Sequence, residues 1–348
     1  MSQVHRKNQN EIHSESEQYK DALQTVSERY PVRVSPVMRR LIAADPDGPV
    51  ARQFLPDAAE LREHDFADPD PIGDEKHSPV PGIVHRHQNR VLLKAIHSCP
   101  VYCRFCFRKE MVGPNGHMLN STELEAALGY IEQTPQIKEV ILSGGDPLML
   151  SARRLNQICE RLHNTDHLDN IRIHSRVPTV SPEMMTNDKI QALKGRLPIY
   201  IVLHINHAYE FTSEGTAICR RLSESGIQLL CESVLLKGVN DSVRALEELS
   251  RACIRHRIKP YYLHHLDHAP GTEHFRVSVK TGQALMKELM RRVSGIAVPA
   301  YVLDLPGGHA KIPLGHCKIE EKGQGHYRIE DPDGHLHDYI DTAITAGN

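Results

Sequence analysis

The sequence contains no tryptophan, and aromatic residues make up only 5% of its 348 positions. Nowhere does it approach the ~18 consecutive apolar residues that a membrane-spanning helix needs, which excludes an integral membrane protein of the helical kind. The first thirty residues, MSQVHRKNQNEIHSESEQYKDALQTVSERY, lack the apolar stretch of a secretory leader. A net charge of −2 provides no bulk positive field for gripping nucleic acid. Internal repeats and low-complexity tracts are also missing. With 40% apolar and 25% charged residues, the composition is that of an ordinary globular protein. The cytoplasm is the expected compartment, and the length allows two domains or one large α/β barrel.

Histidine is plentiful, at 23 residues, and there are 8 cysteines. Cys99, Cys103 and Cys106 fall within one short segment; Cys159, Cys219, Cys231, Cys253 and Cys317 are scattered. In a chain without a leader this is not a disulfide framework, and the tight trio points to a metal or redox role.

Residues 1–80 are polar and broken by Pro36, Pro46 and Pro49, which suggests an irregular N-terminal helical layer. From about residue 90 the pattern becomes regular. Short apolar runs predict strands at 91–97, 139–143, 171–175, 198–205, 227–236, 258–265 and 300–305. Helices are expected between them. One follows the cysteine segment, with Thr122 and Glu125 as a capping pair and Leu124, Ala127, Leu128 and Ile131 on one face. The next buries Leu155, Ile158, Cys159 and Leu162, and others cover 183–194, 213–225, 242–256 and 279–293. Six βα units and a further strand predict a parallel sheet with right-handed crossovers. Six units are too few for an eightfold barrel, so a partial (βα)6 TIM-type barrel or an open doubly wound sheet fits. The expected division is an N-terminal helical region at 1–80, a partial barrel at 81–298 and a C-terminal segment at 299–348, where Asp333-Gly334 predicts a β-hairpin. In either architecture ligands bind at the carboxyl ends of the strands. The unusual features of this sequence fall there: the cysteine segment, Gly144-Gly145-Asp146, Ser175-Arg176, Asp267 and Pro306-Gly307-Gly308.

In CPVYCRFCFRKE the spacing is Cys99-x3-Cys103-x2-Cys106. Three thiolates can hold three corners of a [4Fe–4S] cube and leave one iron for an exogenous chelating group. Tyr102, Phe105 and Phe107 would shield such a cluster from water. A zinc site with His97 or His117 as fourth ligand is the other reading, although no second cysteine pair is present. Near the end of the regular region, Lys311 follows a Gly-rich turn; a lysine held in an apolar pocket can form a Schiff base.

The cysteine spacing after the first strand of a partial barrel resembles the radical S-adenosylmethionine (SAM) superfamily. With Lys311 it resembles, more narrowly, the lysine 2,3-aminomutase family, through HSPVPGIVHRHQNRVLL, CPVYCRFCFRKEMVG, LSGGDPLML, RIHSRVPTV, HINHAYE, SVLLKGVND, PYYLHHLDHAPGTEHFR and DLPGGHAKIPL. The resemblance implies an isomerase that converts L-lysine to β-lysine with a [4Fe–4S] cluster, SAM and pyridoxal 5′-phosphate. It implies cluster ligation by Cys99, Cys103 and Cys106. Lys311 would carry the internal aldimine, and Arg86 and Arg90 would hold the coenzyme phosphate. Gly144, Gly145, Asp146, Ser175, Arg176 and Glu232 would contact SAM. Arg108 would pair with the substrate carboxylate, and Asp267 and Asp304 with its terminal ammonium; glutamate-acting relatives are expected to lack that acid pair. A flavodoxin- or ferredoxin-type electron donor and a homo-oligomer, dimer or tetramer, are also implied. A short bacterial relative that makes β-lysine for modifying elongation factor P is the close alternative. The chain departs from clostridial members, which carry Gln where it has Glu232 and Tyr where it has His87. They also have a longer C-terminal extension with zinc-binding cysteines, whereas Cys317 is the only cysteine here beyond Cys253.

Overall fold

In the computed structural model, which describes residues 4–340 apart from 63–64, 114–115, 316–318, 324–325 and 332–333, the strand residues sort onto two faces of one sheet. β1 (Ile83–His87) and β2 (Arg90–Ile96) form an antiparallel hairpin. β2 then runs parallel to β3 (Glu139–Gly144), β4 (Asn170–Ser175), β5 (Ile199–His204), β6 (Gln228–Val234), β7 (Ile258–His264) and β8 (Ala300–Asp304), each beside the next. β9 (Lys311–Pro313) turns back antiparallel on β8. The sheet is open, with β1 and β9 at its edges.

Successive strand side chains point to opposite faces. Glu139, Ile141 and Ser143 of β3, Arg172 and His174 of β4, Tyr200 and His204 of β5, and Glu232 and Val234 of β6 line a central cavity. Their neighbours Val140, Leu142, Ile171, Ile173, Ile201, Leu203 and Leu229 are buried in the main core. The outer face is therefore apolar, and the inner face carries the ionisable side chains among apolar ones such as Leu92, Ile141 and Leu230.

α1 (Val4–Arg29), α2 (Pro36–Ala44) and α3 (Pro49–Phe54) precede the sheet. α4 (Ser121–Glu132), α5 (Ala152–His163), the single turn α6 (Val177–Val180), α7 (Asn187–Ala192), α8 (Ser213–Glu224), α9 (Val243–Arg255) and α10 (Val279–Arg292) supply the crossovers. The expected faces of α4 and α5 are buried in the same core as the outer sheet face. Ser151, Thr212, Ser242 and Ser278 each accept a backbone N–H at the start of α5, α8, α9 and α10, at about 1 kcal/mol per cap. Gly226, with φ of 83°, follows α8.

Six βα units and a seventh parallel strand match the expected order, and the sheet is not a closed barrel. Several details differ. The capping box of α4 is Asn120 with Glu123, two residues before the predicted pair. The helix expected at 183–194 is shorter, because a 3-10 turn at Pro182–Met184 precedes it and Thr186 caps Lys189. β1 and β9 are too short and polar for a periodicity signal and form through pairing at the sheet edges. The tail is a three-stranded antiparallel sheet of β10 (Ile319–Gly323), β11 (His326–Glu330) and β12 (Leu336–Ile340), one strand more than a hairpin. Gly334 has a φ of 89° in the last turn, whereas Asp333 lies outside the described residues. Among the described residues no helix is long and apolar enough to cross a membrane.

Candidate active site

The carboxyl ends of β2 to β8 open into a cavity of about 990 Å³. Every residue to which the resemblance assigns a role lines it: Cys99, Cys103, Cys106, Arg86, Arg90, Arg108, Gly144, Gly145, Asp146, Ser175, Arg176, Glu232, Asp267, Asp304 and Lys311; of the aromatic residues expected to shield a cluster, Phe105 and Phe107 line it and Tyr102 does not. His97 and His117, the other candidate ligands for a zinc ion, do not line it.

One wall is the loop after β2. Cys99, Cys103 and Cys106 carry free thiols. Burial pushes the Cys99 thiol well above its ordinary range and that of Cys106 to about 11. Desolvated thiols facing a common space suit a soft metal centre, which removes their protons on binding. Arg176 Nη1 donates to Cys103 Sγ at 2.9 Å, its Nη2 donates to Glu210 at 2.5 Å and Gln53 at 2.9 Å, and its Nε is buried without a partner. Burial works against the charge of Arg176, but Cys103 and Glu210 outweigh it and raise its pKa.

Within the same loop, Arg104 forms a buried pair with Glu60 at 2.6 Å, and Lys109 meets that carboxylate at 2.9 Å. The Gly144-Gly145 turn presses on the loop: a Cβ on Gly145 would lie 2.4 Å from the Ser98 carbonyl oxygen. Asp146 accepts from Ser175 Oγ, and from the backbone N–H groups of Leu148, Arg176 and Val177, at 2.7–3.1 Å. Its carboxylate thereby fastens the end of β4, and burial still raises its pKa.

The facing wall carries Lys311, the first residue of β9 and paired in register with Asp304. Its Nζ donates to Asp304 Oδ2 at 2.6 Å and lies 5.1 Å from the Tyr262 ring centroid. Burial works against the Asp304 charge, but His264 and Lys311 hold its pKa at about 2. Asp267 goes the other way: burial, then repulsion from Asp304, raises it to about 6. His174 Nδ1 lies 3.2 Å from Glu232 Oε2, and although burial opposes ionisation, His174 and His264 hold Glu232 well below the usual range. Burial lowers His204, beside them, to about 3.

The third element is the hairpin of β1 and β2. Arg86 Nη2 meets Asp74 at 3.0 Å, while its Nε is buried with no partner. A Cβ on Gly308 would lie 2.7 Å from that Nε and 2.1 Å from the Ile72 carbonyl oxygen. Only glycine lets the chain pass so close. An orphaned guanidinium N–H beside a glycine turn fits a bound phosphate. Asp74 also holds Lys94 at 3.3 Å and Arg108 at 3.0 Å. Burial alone would raise its pKa, but Arg108 and Lys94 lower it.

Asp74, Glu60, Gln53, Glu210, His174 and His264 were not singled out in the sequence. Asp74, Glu60 and Gln53 come from the irregular N-terminal region, where no periodicity marks an inward side chain. His174 and His264 had a usable signal, since each is two positions from another cavity-lining residue of its strand, Arg172 and Tyr262. Cys317 lies outside the described residues.

Comparison with known proteins agrees with this geometry. The radical SAM superfamily matches residues 93–249. The L-lysine 2,3-aminomutase of Clostridium subterminale is 38% identical over 270 residues, 78% of this chain and 65% of that enzyme, so the match spans about two thirds of the clostridial protein. The L-lysine 2,3-aminomutase of Methanococcus maripaludis is 35% identical over 333 residues, 95% of this chain and 77% of its own length. That of Escherichia coli is 37% identical over 276 residues, covering 79% and 80%. A cysteine trio and an amine facing one cavity, together with relatives matched over most of their length, place this chain in the L-lysine 2,3-aminomutase family of radical SAM enzymes.

Proposed function

We propose that this protein converts L-lysine to β-lysine by moving the amino group from the α- to the β-carbon. The observation that carries the reading is the single cavity shared by the three thiols and the Lys311 amine. When bound, a [4Fe–4S] cluster with SAM supplies removal and return of a hydrogen atom, and pyridoxal phosphate supplies the π-system that the migrating nitrogen crosses.

The residues take the following parts. Cys99, Cys103 and Cys106 hold the cluster, and Arg176 donates to the Cys103 sulfur, a contact that tunes its electronics. Gly144, Gly145, Ser175, Arg176 and Glu232, which line the cavity beside the cysteine loop or across from it, would hold SAM. Asp146 acts here as the brace that positions Ser175 and Arg176. Arg86 and Arg90 take the phosphate, and Lys311 anchors the coenzyme.

Arg108, oriented by Asp74, pairs with the substrate carboxylate. Asp267 and Asp304 face the substrate's terminal ammonium. In the structure Asp304 is engaged by Lys311, so release of that amine opens the carboxylate to substrate. Two acids select lysine over an amino acid with an acidic side chain by attraction and by repulsion together.

The test is an anaerobic assay of the reconstituted enzyme with free lysine, free glutamate and a lysine-containing protein. β-Lysine from free lysine alone is the expected outcome; a product from glutamate, or none from lysine, overturns the reading.

A further inference from the structure

His264 has no part in the reading above, yet it stands midway along a line of charges running to Lys311. Its Nδ1 is 3.2 Å from Asp304 Oδ2 and its Nε2 is 3.7 Å from Glu232 Oε2. Asp304 Oδ2 is also 2.6 Å from Lys311 Nζ. One carboxylate oxygen thus serves two groups that stand 3.4 Å apart. A carboxylate shared between two cations holds each less firmly than one facing a single cation, because the like charges repel at short range.

We propose that His264 is a positioning residue which, as an imidazolium braced between Glu232 and Asp304, loosens the grip of Asp304 on the Lys311 ammonium and keeps that amine reactive toward a carbonyl carbon. The proton that Lys311 gives up passes to solvent through the cavity mouth, since its side chain is 31% exposed. The inference rests on the proposed function only in taking the coenzyme as the carbonyl partner; the competition for Asp304 exists without it.

The groups facing His264 favour its charged form. Asp304 on β8 and Glu232 on β6 flank it, and Asp267 after β7 adds negative charge above a pH of about 6. Lys311 on β9 opposes. Tyr262, two residues back on β7, offers a neutral ring at 5.5 Å between centroids. On β5, His204, held at about 3, carries no charge at neutral pH. His174 on β4 bonds to Glu232, and His87 on β1 lies within the fields of Asp304 and Lys311. Burial alone would lower the His264 pKa, but Asp304 and Glu232 outweigh it and raise it to about 9.

The test needs no coenzyme. The full chain, with none added, is labelled with acetic anhydride at fixed mildly alkaline pH. Mass spectrometry reads acetylation of Lys311 relative to the exposed Lys280. His264→Gln keeps a hydrogen-bond donor and removes the charge; it should slow Lys311 labelling about tenfold, the effect of one pH unit of added stabilisation of the ammonium. Asp304→Asn should accelerate it. An unchanged or faster rate in His264→Gln overturns the proposal.

If the Gln variant does not fold, ¹³C-histidine NMR of the wild-type chain decides. A histidine signal that responds to Asp304→Asn and stays protonated above pH 8 supports the proposal; titration of that signal near the ordinary ~6.5 sinks it. The coenzyme reading fails separately, if pyridoxal phosphate gives no imine absorbance that depends on Lys311.

Discussion

The two walls of the cavity are built on different terms. On the cysteine side the charged groups are multiply held: Asp146 takes four donors, both Nη atoms of Arg176 are engaged by Glu210, Gln53 and Cys103 while its Nε is left over, and Arg104 is locked to Glu60. On the lysine side groups are shared or left over. Asp304 serves two partners, Asp267 is partly protonated near neutrality, and Arg86 Nε has no partner. Multiply bonded charges fix geometry, which a cluster needs if its sulfurs are to meet one set of irons. Unsaturated groups are costly until a ligand arrives, and that cost makes them ready to bind one. One wall is a preformed frame, and the other is a receptor whose charges are rearranged by coenzyme and substrate.

The sharpest way to break this division is to remove one wall's chemistry and ask whether the other survives. Lys311→Ala should abolish β-lysine formation while iron and sulfide content and the brown colour stay intact; a variant that still makes β-lysine refutes the role of Lys311. Cys106→Ser should do the converse, losing the cluster yet keeping a Lys311-dependent imine absorbance with pyridoxal phosphate. If either substitution removed both cofactors, the walls would be one cooperative unit.

A smaller effect tests the hinge between them. Asp74 holds Arg86, Lys94 and Arg108 together while almost wholly buried. Asp74→Ala should cost about 3–5 kcal/mol, because it leaves cations buried and unpaired. The measurement is the urea unfolding midpoint, with Asp74→Asn expected to lose less. The folded-state pKa of Asp74 is lowered, so its stabilisation is present above the ordinary carboxylate range and lost as pH falls through the folded pKa.

The mildest effect concerns substrate affinity. Asp267 titrates at about 6, and only its ionised form attracts an ammonium, so KM for lysine should fall as pH rises through that value. Asp267→Asn should raise KM roughly tenfold to a hundredfold, the worth of ~1.5–3 kcal/mol for a charged hydrogen bond, and flatten that limb of the profile. A KM that is independent of pH between 5 and 7 in the wild type would remove Asp267 from the ammonium site.

Much of the architecture was legible locally. Alternating short strands and amphipathic helices are nearest-neighbour patterns, so Leu155, Ile158, Cys159 and Leu162 could be placed on a buried face by spacing alone. The glycines at 144, 145 and 308 mark close backbone approaches, and the cysteine spacing marks a ligand loop. Less legible were elements formed by pairing rather than periodicity. β9 has three residues, and it is the hydrogen-bond edge of β8 that makes it a strand. The tail gained a third strand for the same reason.

What the chain determined by itself is an order of elements and a set of reactive side chains. Strand and helix periods are written into consecutive residues, and each thiol, carboxylate and amine carries its own chemistry. Which of these groups share charge was decided only by folding. Asp74 meets Arg108 across 34 positions and Lys94 across 20; Glu232 and Asp304 meet through His264 because adjacent parallel strands put their ends side by side. The low dielectric of the cavity then sets one aspartate at about 2 and its neighbour at about 6, a difference that depends on burial and partners and that no single residue type specifies.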